Sequence, residues 1–136
     1  MNPVSHIMPD GMVRLPTRGS VADAWARLEA AVAARGLIVF ARIDFAADAA
    51  AAGLELRPTR LLVFGNPVAG TPLLAVEPTV GIDLPLKVLI WETAEGTTAV
   101  GYNNPAWIGA RHDVPEALQA KLQPVEALAA IAADWK

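Results

Sequence analysis

The spacing of apolar residues between positions 20 and 36 predicts a helix. Ser20 and Asp23 have the spacing of a capping box, in which each side chain bonds the backbone of the other residue. Gly36 is placed to end the last turn. Between them, apolar side chains recur at helical intervals, at Val21, Trp25, Leu28 and Val32.

Five short apolar runs predict strands. They cover Met12 to Thr17, Leu37 to Phe45, Arg60 to Gly65, Lys87 to Thr93 and Thr97 to Tyr102. The last two flank Ala94-Glu95-Gly96, which is the spacing of a β-hairpin. In the second run, from Leu37 to Phe45, successive side chains of a strand would point to opposite faces of the sheet. One face would carry Leu37, Val39, Ala41, Ile43 and Phe45, and the other would carry Ile38, Phe40, Arg42 and Asp44.

Prolines and glycines limit the remaining helices. Residues 66–86 form a dense connection in which Pro72, Pro78 and Pro85 exclude one long helix, although a turn or two near Leu73 to Val76 fits. Ala46 to Ala52 predicts a short helical turn. The final helix has an apolar stripe interrupted by Pro124, which predicts that it is kinked or split; the stripe is Leu118, Leu122, Val125, Leu128 and Trp135.

The order of elements predicts an α+β fold in one domain. We interpret residues 1–11 as a flexible tail and residues 12–136 as a domain with strand, helix, four strands and helix in that order. A mostly antiparallel sheet with helices on one face is the simplest packing. Several strands are apolar on both faces, and two helices cover only one, so we predict a homodimer through the sheet.

Composition excludes several classes of function. The chain has 136 residues, a formal net charge of -3, no cysteine and no run of basic residues, so we expect neither nucleic acid nor anionic lipid as a partner. No secretion signal or membrane-spanning stretch is visible, which predicts a cytoplasmic protein without membrane contact. Only two histidines are present, so we predict no metal site and no cofactor.

Polar residues gather at one predicted edge of the sheet. If strands three, four and five form a meander, strands three and five end together, and Arg42 and Asp44 lie at the opposite edge. The hypothesis is a ligand site in an apolar hollow. Its residues are Asn66, Asp83, Asn103, Asn104, Trp107 and His112.

Three functions remain open from the residues. The first is binding of a small polar or amphipathic ligand at this edge. The second is metal-independent acid–base catalysis, with His112 as proton carrier and Asp44 or Asp83 as its partner acid. The third is a structural or protein-interaction module. Each residue also has a structural interpretation: asparagine before proline commonly forms a turn, and His112 suits a surface or capping role.

Long ordered stretches resemble the family called domain of unknown function 302. They are Phe64 to Thr71, Gly81 to Glu92, Tyr102 to Pro105 and Arg111-His112, within a likeness from Thr17 to Val114. The resemblance implies a TATA-binding-protein-like arrangement, frequently homodimeric, with no established activity and no implication of DNA binding. Many relatives have histidine after the aspartate that matches Asp44. This chain has Phe45, which weakens any mechanism that uses that histidine.

Overall fold

The computed structural model describes residues 6–7 and 10–135, with side chains from residue 10 onward. The predicted tail of residues 1–11 therefore lies largely outside the described residues. The strands form one antiparallel sheet in the order β1-β2-β6-β5-β4-β3. Their bounds are β1 His6–Ile7, β2 Met12–Thr17, β3 Ile38–Asp44, β4 Thr59–Gly65, β5 Leu86–Glu92 and β6 Thr98–Asn103.

The helices follow the predicted order and confirm the α+β class. The capping box forms as predicted: the Ser20 hydroxyl accepts from the Asp23 N–H at 3.1 Å, and the Asp23 carboxylate accepts from the Ser20 N–H at 3.0 Å. The final helix is split at Pro124. The α-helices are α1 Val21–Ala34, α2 Phe45–Ala51, α3 Pro67–Val76, α4 Pro105–Arg111, α5 Glu116–Gln119 and α6 Pro124–Ala133, with 3₁₀ turns at Pro78–Ile82 and Ala120–Leu122.

The hydrophobic core lies between one face of the sheet and helices α1 and α6, which also pack against each other. Leu28 of α1 and Leu128 of α6 are fully buried there, as are Leu62, Phe64 and Ile90 of the sheet. Burial of such side chains supplies most of the favourable free energy of folding. The predicted packing, with helices on one face, is confirmed.

The opposite face of the sheet, called the outer face here, is also apolar at its centre. Leu61 pairs with Leu89, and Thr59 pairs with Trp91, so these side chains lie next to one another on neighbouring strands. All four are half-buried in the single chain. This surface is the one on which the predicted homodimer depends.

A β-bulge at Phe40 makes the predicted faces of β3 wrong beyond that point. Val39 pairs with Phe64 and Arg42 with Leu62, and Phe40 is the extra residue between them. A bulge shifts the alternation by one position. Arg42 therefore lies on the helix side of the sheet, where its guanidinium bonds Glu29 of α1. Ile38 and Phe40 remain on the outer face, about half exposed.

The dense connection is more helical than predicted. Helix α3 spans Pro67–Val76 and contains Pro72, which cannot donate a hydrogen bond to the carbonyl of Val68. Val68 is 80% exposed, so water solvates this part of the helix and the missing bond costs less than it would in a core. Across the described residues, no helix combines the length and the apolar character needed to cross a membrane.

Candidate functional site

A buried ion-pair cluster joins the dense connection to α4. Asp83 follows the 3₁₀ turn Pro78–Ile82, and His112 follows the last residue of α4. The His112 Nε2 atom lies 2.5 Å from Asp83 Oδ2, and both side chains are about nine-tenths buried. Arg111 Nη1 donates to the two carboxylate oxygens of Asp83 at 3.1 and 3.0 Å. The predicted proximity of Asp83 and His112 is thus present in the structure.

A hydroxyl and a second carboxylate extend this cluster. Thr79 Oγ1 lies 2.9 Å from His112 Nδ1 and 2.8 Å from Glu77 Oε1. The hydroxyl carries one hydrogen, so it donates either to Glu77 or to the imidazole. When it donates to Glu77, Nδ1 must carry a proton and donate to Thr79. The direction of the hydrogen bond between His112 and Thr79 is therefore coupled to the one between Thr79 and Glu77.

Cationic and aromatic groups surround the cluster. Lys87 Nζ donates to the carbonyl of Asp83 at 3.1 Å and to that of Pro85 at 2.8 Å. Burial lowers the pKa of Lys87, and the charge of Asp83 opposes that shift. The Arg111 guanidinium lies 5.6 Å from the centre of the Trp107 ring, within the range of a cation–π contact. Trp107 and Arg111 belong to α4 and His112 follows it, so this helix positions one side of the cluster.

The predicted asparagines mainly cap helices. Asn66 Oδ1 accepts from the Val68 N–H at 3.0 Å and begins α3, and Asn104 Oδ1 accepts from Ala106 and Trp107 at 2.8 and 3.2 Å and begins α4. In both cases proline occupies the first helical position. Asparagine followed by proline is a helix-start signal that also matches the turn interpretation. Asn103 ends β6 opposite Met12.

Asp44 lies at the opposite edge of the sheet from His112, as predicted for a single chain. It caps α2 by accepting from the Ala47 N–H at 2.9 Å, and its carboxylate lies 3.5 Å from Arg60. Phe45 is the first residue of α2 and is 37% exposed. Within one chain, the acid beside His112 is therefore Asp83. Among the described residues, no group of three or more histidine, aspartate or glutamate side chains could hold a metal ion.

A separate cavity lies on the other side of the segment that carries Asp83. Its volume is about 360 Å³, within the range typical of small-molecule sites. Helix α3, the start of β3 and the end of β4 form much of its wall, which is mainly apolar. Leu73, Leu84 and Pro85 contribute to that wall, Asn66 and Thr71 add neutral polar atoms, and Lys121 adds a charge.

The structure thus separates the predicted site residues, and Asn103 and Asn104 belong neither to the ion-pair cluster nor to the cavity wall. Asp83, Trp107 and His112 belong to the ion-pair cluster on α4, whereas Asn66 lines the cavity. Sequence reasoning missed Lys121. The signal was the split of the last helix at Pro124, which puts Lys121 in a 3₁₀ turn beside α3. Arg111 and Thr79 were also missed, because their partners depend on how α4 is oriented.

Known proteins resemble this chain in sequence and in fold. The fluoride-specific ion channels FluC 1 of Brucella suis biovar 1 and FluC 1 of Brucella abortus biovar 1 are each 41% identical to it over 112 residues, or 82% of this chain. The chain spans less than half of those relatives, 44% and 42% of their respective lengths.

A solved structure has the same fold. It is the crystal structure of an uncharacterized conserved DUF302 protein from Bacillus stearothermophilus, with a TM-score of 0.73 and 22% identity, and the match covers 91% of this chain and 96% of that one. The sequence profile of the domain of unknown function DUF302 matches residues 13–131. This match covers most of the domain, and the chain therefore belongs to the DUF302 family, which has no established function.

Proposed function

We propose that this domain binds a small, mainly apolar molecule in the cavity beneath α3. The observation that carries the proposal is the cavity itself, of about 360 Å³, with a wall built from the segments on both sides of the 3₁₀ turn Pro78–Ile82. An apolar cavity open to solvent gains free energy when a ligand displaces its water. Phe40 and Leu74 line it and are 50% and 39% exposed, so its mouth is apolar as well.

Ligand binding is supported over acid–base catalysis by the contacts of His112. Both ring nitrogens already have partners, Asp83 and Thr79, and the side chain is buried. A general base must lie within hydrogen-bonding distance of the proton that it abstracts, and the hydroxyl within reach of this buried imidazole, that of Thr79, is already shared with Glu77. The cluster instead suits a structural role, in which it fixes the Asp83 segment against α4 and so holds one wall of the cavity.

The proposal is tested by filling the cavity. Ala69→Phe places an aromatic ring in the wall of α3, and Ala22→Phe adds the same ring at an exposed position of α1 as a matched control. Binding of the neutral dye Nile red and thermal stabilisation by a library of apolar metabolites are measured for all three proteins. We expect wild type and Ala22→Phe to bind and Ala69→Phe to lose binding. A saturating ligand raises the unfolding free energy by roughly 2.7 kcal/mol at a hundredfold excess over Kd.

Two outcomes would contradict the proposal that the cavity binds a ligand. If Ala69→Phe remains folded by circular dichroism and binds the dye and every stabilising compound as wild type does, the ligand does not occupy this cavity. If no compound stabilises wild type, the domain does not bind small apolar molecules.

We further propose that the domain acts as a homodimer through the outer face. Leu61, Leu89 and Trp91 form its apolar centre, and Phe40 belongs both to this face and to the mouth of the cavity. Light scattering after size exclusion gives the mass. We expect Leu89→Glu to be a monomer, because a charge is costly in a buried interface, and Val76→Glu, outside the sheet, to remain a dimer. A monomeric wild type contradicts this proposal.

We place this activity in the cytoplasm. The sequence has no cysteine, which fits a reducing compartment. Fractionation of cells that express the tagged chain measures it. Recovery in the periplasmic or membrane fraction would contradict the proposal.

A second candidate function is a protein-interaction domain that works beside an ion channel. It is favoured by the two Brucella fluoride channels, which have a region 41% identical to this chain and more than half their length outside it. Exposed Val68, Val76 and Ile82, at 80%, 55% and 73%, offer an apolar surface for such a partner.

The interaction is measured with the Brucella suis channel from which the matching region has been deleted. We expect the purified chain to co-elute with that protein in detergent and Ile82→Glu to weaken the association. Absence of co-elution at micromolar concentrations would remove this candidate and leave ligand binding unaffected.

A further inference from the structure

Lys121 is the only ionisable side chain among the described residues that line the cavity. It lies in the 3₁₀ turn between α5 and α6 and is half-buried. Within the described part of the chain, its ammonium group has no ion pair with a carboxylate. A cation on an apolar wall, with no acidic residue in the same wall, favours a ligand that carries negative charge.

The other polar groups of the cavity wall also favour a negatively charged ligand. The Oδ1 atom of Asn66 accepts from the Val68 N–H, which leaves both hydrogens of its amide nitrogen to donate to a ligand. Pro67, Ala69 and Gly70 also line the cavity and belong to the first turn of α3, where the helix dipole is positive. Donors and positive potential therefore belong to the same, otherwise apolar, cavity wall.

We propose that the ligand is an apolar molecule with a single carboxylate, bound with its apolar part beside Leu73 and Leu84 and its carboxylate near Lys121. This assignment rests on the proposed function, since it names the chemical class of ligand for the same cavity. The simplest members of the class are medium-chain fatty acids. Lys121 supplies a point charge and Asn66 a neutral donor, which together suit a carboxylate on a flexible chain.

Calorimetric titration with three ligands of the same chain length tests the class. Decanoate, decanol and decyltrimethylammonium have similar apolar chains and carry an anionic, a neutral and a cationic head group, respectively. Titrations use wild type, Lys121→Met, Lys121→Arg and Arg57→Met. Arg57 precedes β4 at the other edge of the sheet, so Arg57→Met removes one positive charge far from the cavity.

We expect wild type to bind decanoate most tightly and decyltrimethylammonium most weakly. Lys121→Met should weaken decanoate binding about tenfold, the typical value of a hydrogen bond to a charged group, and leave decanol binding unchanged. Lys121→Arg should retain most of the affinity, and Arg57→Met should behave as wild type. Octanoate, with two fewer methylenes, should bind roughly tenfold more weakly than decanoate.

The outcomes separate this inference from the proposed function. If decanol and decanoate bind equally well, and Lys121→Met changes neither, the carboxylate assignment is wrong while the cavity remains a binding site. If Arg57→Met weakens decanoate as much as Lys121→Met, net charge and not Lys121 selects the ligand. If none of the three ligands binds wild type, the carboxylate assignment fails, and the proposed function fails with it only if Nile red and the apolar library do not bind either. Should Lys121→Met not fold, Lys121→Gln gives the same comparison with a neutral polar side chain.

Discussion

The segment from Gly81 to Leu86 has two contrasting surroundings. On one side, Asp83 is buried and bonded to His112 and Arg111. On the other, Gly81, Leu84, Pro85 and Leu86 line an apolar cavity of about 360 Å³. One short stretch of chain is thus fixed by charged groups on one side and leaves open space on the other.

This contrast separates the part of the domain that determines geometry from the part that can accept a ligand. A buried carboxylate requires partners, so Asp83 holds its segment at a defined position relative to α4. Apolar cavity walls require no such partners, since they lack polar atoms that must be paired. We infer that the polar cluster maintains the shape of the cavity without contacting what the cavity holds.

The largest predicted effect comes from removing the carboxylate of the cluster. Asp83→Ala leaves His112 buried without its partner, and breaking a buried pair in this way costs about 3 kcal/mol of unfolding free energy. Urea denaturation at neutral pH measures it. Asp48→Ala, an exposed aspartate of α2, is the matched control and should change stability by less than about 0.5 kcal/mol.

Asp83→Ala should also weaken Nile red binding, because the cavity wall loses its anchor. Equal stability of the two alanine variants would contradict the anchoring role of Asp83.

A smaller loss is predicted at the other end of the cluster. Thr79→Val keeps the shape of the side chain but removes the hydroxyl that contacts His112 Nδ1 at 2.9 Å. The expected loss is about 1 kcal/mol, as for a single hydrogen bond. Thr79→Ser retains the hydroxyl and should restore most of the stability. If serine and valine destabilise equally, the hydroxyl contact contributes nothing and the cluster ends at His112.

On the cavity side, adding a methyl group should stabilise the protein. Gly70 lies within α3, and a Cβ atom placed there meets nothing within 4 Å. Gly70→Ala should therefore raise the unfolding free energy by roughly 0.5–1 kcal/mol through helix propensity alone. Gly109→Ala in α4 is the control, since its Cβ would lie 2.8 Å from the Gln119 side chain. We expect no gain there. A destabilised Gly70→Ala would show that α3 packs more closely than the cavity implies.

Local signals made the scaffold predictable from sequence. The capping box at Ser20 and Asp23 located α1, and the hairpin spacing around Gly96 led to the meander that brings Asp83 and His112 to the same edge. Each of these signals lies within a few neighbouring residues. The homodimer and the ligand stay predictions.

The features that the sequence did not predict depend on how separate elements pack against one another. The bulge at Phe40 has no residue signature of its own, and it moved Arg42 to the helix side of the sheet. The cavity arises because α3 and the turn that carries Lys121 leave space between them, which no alternation of apolar and polar residues encodes. Arg111 likewise shows its role only when the orientation of α4 places it beside Asp83.

The smallest predicted effect concerns the exposed carboxylate of Asp23. The backbone N–H and hydroxyl of Ser20 lower the pKa of Asp23, so the folded state favours its ionised form. The stability from this bond is present above the ordinary aspartate pKa of about 3.9 and is lost as pH falls through the lower folded value. Asp23→Ala should therefore lower Tm slightly at neutral pH. In measurements at successively lower pH, down to about pH 3, the difference in Tm between this variant and wild type should become smaller. A deficit at Asp23 that is independent of pH would mean that helix propensity, and not the ionised capping box, accounts for the loss.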